Sequence, residues 1–308
     1  MEFIYQQMEG ENMKKKVLSL LMITVISFGL VACGSKNSTK QTSAAETKIE
    51  DTRIIAGSMA VAEMLAKLDI KIVGRPTTQY DISDKVKQVP EIGLPMNPDL
   101  ERIKALKSTV YVTSGALEEM IGDRLKENKI NTIFCNLDSY DAVKDTIKSI
   151  SEKFNKKENG EKLIKEINNK ETKILKDVNK NKKVKVMILF GAPGHFMLST
   201  KNSFAGSLIE KLGGENIANK ANFKGQYVPF SLETALKENP DIIFRMYHGY
   251  IDEAKKQVNE EFKTNPQWKQ FKAVKENKIY DLDPKYFGVT GDIKIADSLE
   301  KMKDYLYK

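Results

Sequence analysis

The chain has 308 residues, 41% of them hydrophobic, with a formal net charge of +8, two cysteines and two histidines. That length suits one large domain or two modest lobes, with ample apolar residues for a core. Its lysines are scattered through helical segments and not grouped with arginine and aromatic residues, which argues against a nucleic-acid platform, and two distant histidines without a usable thiol argue against a three-ligand zinc site.

Residues 1–32 read as an export signal. Lys14 to Lys16 precede the apolar run Val17 to Ala32, which ends Leu30-Val31-Ala32-Cys33-Gly34. A cationic segment, a hydrophobic stretch and small residues before a cleavage point have that meaning. A membrane-spanning anchor is the alternative, but the run is about 15 residues and a span needs about 20. The cysteine directly after Leu-Val-Ala resembles a bacterial lipobox. That likeness implies that Cys33 is lipidated, becomes the first mature residue, and tethers the protein to the extracytoplasmic face of the cell membrane. Three glutamates between Met1 and Asn12 do not suit the start of a signal, so initiation at Met8 or Met13 is expected. Removing residues 1–32 takes away three lysines and three glutamates and leaves the charge unchanged. Residues 33–51, rich in Ser, Thr, Lys, Gln and Ala, read as a flexible tether. With Cys33 lipidated, Cys135 has no partner for a disulfide and is expected to be a buried, inert thiol.

From Thr52 short apolar runs alternate with amphipathic segments, the pattern of an α/β fold. In the first lobe (52–140), strands are predicted at Arg53 to Ala56, Ile72-Val73, Val110 to Thr113 and Thr132 to Cys135. Helices are predicted at Ser58 to Leu68, Asp99 to Ala105 and Glu118 to Glu127. A long charged stretch follows (141–183). Its apolar residues Val143, Ile147, Ile150, Phe154 and then Leu163, Ile167, Ile174, Val178 recur at helical spacing, with a break expected at Asn159-Gly160. The alternation restarts in 184–308. Strands are predicted at Val184 to Phe190, Asp241 to Arg245 and Lys278 to Leu282. Helices are predicted at Ser203 to Leu212 (closed by Gly213-Gly214), Ser231 to Glu238, a turn at Pro266 to Phe271, and Asp292 to Tyr307.

The halves share a local pattern. Leu100-Glu101-Arg102-Ile103 leads to the strand at Val110, and Leu232-Glu233-Thr234-Ala235 leads to the strand at Ile242, each nine residues beyond its glutamate. Two Rossmann-like lobes joined by a long connecting helix would leave a ligand cleft between them. Such an exported protein resembles the class III substrate-binding proteins of bacterial iron-complex and cobalamin ABC importers. Further segments resemble the heme-binding lipoproteins of iron-regulated surface determinant systems. They are Val89-Pro90-Glu91-Ile92-Gly93, Pro95-Met96-Asn97-Pro98, Arg245-Met246-Tyr247-His248-Gly249, Phe271-Lys272-Ala273-Val274-Lys275 and Ile279-Tyr280-Asp281-Leu282.

His248 follows a predicted strand, at the carboxyl end where open α/β sheets bind ligands. By position alone it is as well read as a hydrogen-bonded loop histidine; the resemblance makes it an axial ligand of heme iron. Met96, flanked by Pro95 and followed by Asn97-Pro98, would be presented from a stiff loop. Most methionines are core filler, and again it is the resemblance that makes Met96 the second axial ligand. His195, in Gly191-Ala192-Pro193-Gly194-His195, is the rival ligand or a plain turn histidine. Met59, Met64 and Met246 are weaker rivals to Met96. The propionates are expected at Gly57, Ser58, Met59 and Ala60, where a helix start offers free N–H groups, with Thr78 and Tyr80 adding hydroxyls; Ser58 is equally explained as an N-cap. Glu101 and Glu233 are, by the resemblance, the acidic points that dock on permease arginines. They also suit a helix dipole.

The absence of a P-loop, of a dinucleotide fingerprint, of His-Glu-x-x-His and of a Gly-x-Ser-x-Gly elbow argues against an enzyme. The resemblance implies a monomeric carrier of heme b serving an ABC permease and its ATPase, loaded by an upstream heme donor. A ferric siderophore or a cobamide on the same fold is the alternative, and an exported heme-modifying enzyme the third reading.

Overall fold

The structure is a computed structural model that describes residues 52–178, 183–191, 195–220, 223–247 and 251–307. Cys33, the expected signal and tether, and His248 lie outside the described residues. No described helix is long and apolar enough to cross a membrane.

In the first lobe the elements run β1 (Ile54–Ala56), α1 (Met59–Lys67), β2 (Ile72–Gly74), α2 (Asp84–Lys87), the two-residue strands β3 (Gly93–Leu94) and β4 (Asn97–Pro98), and α3 (Leu100–Ala105). They continue with β5 (Val110–Ser114), α4 (Glu118–Glu127), β6 (Thr132–Cys135) and α5 (Tyr140–Lys153). The helix α6 (Lys157–Lys176) then crosses to the second lobe. That lobe comprises β7 (Lys185–Phe190), β8 (Met197–Ser199), α7 (Phe204–Lys211), β9 (Glu215–Asn216), β10 (Tyr227–Pro229) and α8 (Leu232–Glu238). It ends with β11 (Ile242–Met246), α9 (Ile251–Thr264), α10 (Lys272–Lys275), β12 (Ile279–Asp281) and α11 (Ile295–Tyr307).

The first sheet is parallel with order β2-β1-β5-β6. In the second, β11 takes one edge of β7 along its length, from Val186 to Phe190. The other edge of β7 is shared. Its first residues pair in parallel with β9, and Leu189 and Phe190 pair antiparallel with β8, which carries β10. The parallel order β9-β7-β11-β12 therefore repeats β2-β1-β5-β6. Both lobes reverse strand order beside their first strand, and α3 and α8 each precede the third strand of their lobe. The doubling read from the two Leu-Glu segments is thus a doubling of topology.

Period-two alternation divides each sheet between two cores. Ile54, Ala56, Val110 and Val112 face a core that also holds Val186, Ile188, Ile242 and Phe244 of the second lobe. The intervening Ile55 and Tyr111 face a separate outer cluster. In the second lobe Met187, Leu189 and Ile243 face another, built around Trp268. Burial on both faces is why these strands read as unbroken apolar runs.

The connecting segment needs a correction. The stretch expected to connect the lobes, with a break at Asn159-Gly160, instead turns at Phe154 to Lys156, where Asn155 is left-handed at φ 53° and α5 folds back against α6 as a hairpin. Asn159-Gly160 is not a break but lies in the first turn of α6. Gly160 is required there because a Cβ would collide with the buried Ser151 side chain of α5. A Gly-to-Ala change inside a helix normally stabilises by up to about 1 kcal/mol. Gly160→Ala is instead expected to destabilise by about 1–2 kcal/mol through overpacking, with Ser151→Gly restoring most of the loss. A urea midpoint that rises in the single variant would contradict this packing.

Candidate functional site

Residues that follow the carboxyl end of β1 in the first lobe and of β11 in the second line one cleft. A cavity of about 720 Å³ is lined by Ser58, Met59, Ala60, Thr77 to Tyr80, Leu94 and Pro95 from the first lobe. Tyr247, Ile251, Pro284 and Phe287 to Thr290 close it from the second. An adjoining chamber of about 570 Å³ shares Met59, Ala60, Thr78 and Tyr80 and adds Glu63, Asp81, Lys285, Tyr286, Asp292 and Lys294. Burial raises the Asp292 carboxyl above the usual carboxylate range. Cavities of this size at a strand-order reversal are the usual ligand sites of α/β sheets.

Ser58 starts α1 in extended conformation, and its carbonyl accepts from Ala62 N at 2.9 Å. Its hydroxyl makes no capping bond, although the residue is only 8% exposed, and Oγ has no hydrogen-bond partner. The plain N-cap explanation of its side chain therefore fails. Tyr111 OH and Thr113 Oγ1 of β5 are likewise buried without partners. Orphaned buried hydroxyls cost free energy, and of these three only Ser58 lines the cavity, where a polar ligand group or water could partner it. Gly57 has a different explanation from the one expected. A Cβ there would collide with the Tyr111 ring, so its bareness admits Tyr111 and does not open the cavity to an anion. Thr78 lines both chambers, its Oγ1 accepting from Tyr80 N at 3.2 Å, and Tyr80 lines both while largely exposed.

Met96 occupies the tip of the β3–β4 hairpin, 54% exposed, immediately after the cavity-lining Leu94 and Pro95. Tyr247 and Ile251, on either side of the undescribed 248–250, line the same cavity from the other lobe. Among the rivals, Met64 and Met246 are core residues. Met59, also expected beside a propionate, is only partly buried and lines both chambers. His195 is exposed in the β7–β8 connection and lines neither chamber. Cys135 is buried, its thiol pushed up to about 12 by burial, as an inert thiol should be.

Sequence reading missed the polar cluster behind Tyr247. Tyr247 OH donates to Asp281 Oδ1 at 2.7 Å, the same oxygen that accepts from Arg245 Nε at 2.7 Å. Lys255 of α9 pairs with Oδ2 at 3.1 Å, and Arg245 Nη1 donates to Asn259 Oδ1 at 2.9 Å. These partners sit on β11, β12 and α9. The usable signal for α9 was the spacing of Ile251, Ala254, Val258 and Phe262.

Glu101 and Glu233 are each the second residue of their helix, behind the capping residues Asp99 and Ser231. Their side chains are 85% and 81% exposed and pair with Lys104 at 3.2 Å and Lys237 at 2.8 Å on the same helices.

A family profile described as periplasmic binding protein matches residues 54–286. The "High-affinity heme uptake system protein IsdE" of Staphylococcus aureus strain MRSA252 is 35% identical over 294 residues, 95% of this chain and 98% of that protein. The crystal structure of S. aureus IsdE complexed with heme superposes with a TM-score of 0.78 at 35% identity, covering 84% of this chain and all of that one. An ABC transporter substrate-binding protein from Listeria monocytogenes EGD-e gives 0.79 at 34% identity, covering 83% and 98%. The chain belongs to the periplasmic binding protein family. Its two-lobed α/β fold is that of the substrate-binding components of ABC transporters.

Burial alone would raise the Asp281 carboxyl, but the bonds from Tyr247, Arg245 and Lys255 hold it below its ordinary value. A carboxyl depressed in this way adds stability that is complete above about pH 4 and lost as pH falls through the folded value. Asp281→Asn is therefore expected to cost about 2 kcal/mol at neutral pH, the gap from wild type closing as the pH is lowered below 4. A gap in urea unfolding that stays constant from pH 7 to pH 3 would contradict this.

Proposed function

We propose that the chain is a lipoprotein, anchored through Cys33 to the extracytoplasmic face of the cell membrane, that captures heme b and hands it to an ABC permease and its ATPase. In this reading Met96 and His248 are the axial ligands of the iron, one from each lobe. The observation that carries it is the lining of one cavity of about 720 Å³: Leu94 and Pro95, which precede Met96 in the chain, and Tyr247, which precedes His248 in the chain, line it from the two lobes. Identity of 35% to a named heme uptake protein over nearly the whole chain supports the ligand class.

The donor set fits the cargo. An imidazole nitrogen and a thioether are neutral ligands that heme iron accepts, and the thioether raises the reduction potential relative to a second imidazole. With both axial positions filled there is no open coordination site for oxygen, which suits a carrier and not a catalyst. The unpartnered Ser58 hydroxyl and the N–H groups opening α1 (Met59, Ala60) would receive a propionate, with Thr78 and Tyr80 beside them. An upstream protein donates the heme, and the receptor works as a monomer.

Purified mature protein mixed with heme is expected to give a low-spin, six-coordinate spectrum. His248→Ala should alter it and weaken retention by roughly tenfold or more, about 1.4 kcal/mol, and Met96→Ala should do so more mildly. Unchanged spectra in both variants would remove the ligand assignment.

Glu101 and Glu233 serve as paired docking points, where opposite charge sets register more than affinity. Glu101→Arg combined with Glu233→Arg should abolish heme uptake by cells while leaving the heme spectrum of the purified protein intact. Normal uptake would refute the docking role.

A further inference from the structure

The Met96 hairpin is too short to hold itself. β3 and β4 contribute two residues each, paired Gly93 with Pro98 and Leu94 with Asn97. Pro98 has no amide hydrogen to give the ladder, and even longer isolated hairpins are marginal in water. The base is tied to the lobe. Asp99 N donates to Ile92 O at 2.7 Å, and Thr77 N donates to Gly93 O at 2.8 Å. Thr77 Oγ1 donates to Glu91 Oε2 at 2.8 Å, and Glu91 pairs with Arg75 at 3.0 Å. None of these bonds reaches the tip.

Arg124 does. Its Nη1 donates to Asn97 Oδ1 at 2.6 Å and its Nη2 to the Pro98 carbonyl at 3.1 Å. The arginine belongs to α4, whose inner face is fixed by the buried Ile121 and Leu125. A planar guanidinium fork fixes direction as well as distance, which a flexible ammonium does not. The residue it grips is the one directly after Met96.

Resting on the heme reading above, we propose that Arg124 is a positioning residue for the Met96 thioether: the fork holds the hairpin tip where the sulfur meets the iron. A neutral thioether is a weak donor whose occupancy depends on how little ordering its loop must undergo. The strut supplies that order before the cargo arrives.

The test is an imidazole titration of the heme-loaded full chain, read by its visible spectrum, with hydrogen exchange of the hairpin amides in the heme-free protein beside it. Arg124→Ala should lower the imidazole concentration at half-displacement of Met96 by about fivefold, the order expected for a lost hydrogen bond. It should also speed exchange at the tip. Asn97→Ala should do part of the same, and Arg124→Lys should fall between wild type and Arg124→Ala. Met96→Ala is the control: it should take up imidazole without competition. A wild-type midpoint and wild-type exchange in Arg124→Ala, alongside a shifted Met96→Ala, would overturn the role of Arg124 and leave the ligand reading standing. A Met96→Ala variant that behaves as wild type would overturn both.

Discussion

Ile54, Ala56, Val110 and Val112 of one sheet and Val186, Ile188, Ile242 and Phe244 of the other are buried in the same continuous core, closed by residues of α5, α6, α7 and α11. The two lobes are thus joined by shared apolar burial as well as by the chain. Polar contacts follow the same seam. Tyr140 N donates to Ser207 Oγ at 3.0 Å, and Gly291 N donates to Leu137 O at 2.8 Å. Lys144 and Lys211 both pair with Asp141 and Glu171, and both lie over the Tyr140 ring. A solvent-exposed ion pair is worth little, but this four-charge network ties α5, α6 and α7 together with its Lys144, Lys211 and Glu171 side chains mostly buried. Shifting one lobe on the other would expose apolar surface at about 25 cal/mol per Å². The cleft walls are therefore set by folding, before any cargo enters.

A preset cleft suits a flat, rigid cargo gripped at its centre from two sides. In the proposed reading it shifts the demand for precision onto the segments that would carry the ligands, and Met96 lies between β3 and β4, outside both strands. On the second lobe, Asp281 anchors Tyr247, the residue before His248, and itself answers to Arg245 and Lys255. On the first lobe the Met96 hairpin runs straight through Asp99 into α3. Asp99 Oδ1 accepts from Glu101 N and Arg102 N, both at 3.1 Å. The proposed iron-facing residue and the proposed permease-facing residue of this lobe are thus five residues apart on one braced segment.

Much of the fold was legible in the sequence where burial imposes a regular pattern. α4 and β6 coincide with their predicted bounds, and the main parallel strands differ by a residue or so, because strands buried on both faces are apolar throughout. β8 and β10 were not legible: three residues give no measurable alternation. The break at Asn159-Gly160 was misplaced because Gly160 answers to a tertiary contact with Ser151, while the true turn uses a left-handed Asn155. The candidate site was legible only in part. Met96 and His248 stood out through family likeness, not through spacing. The bonds made by their chain neighbours are invisible locally, since Arg124 and Asn97 are 27 residues apart and Tyr247 and Asp281 are 34 apart.

The most direct measurement is a crystal structure of the mature chain loaded with heme. The account predicts a porphyrin lodged against Ser58, Thr78 and Tyr247, with its iron bonded on one side to the Met96 sulfur and on the other to an imidazole nitrogen of His248. Iron bonded instead to His195 or Met59, or a porphyrin lying outside the cavity, would contradict it.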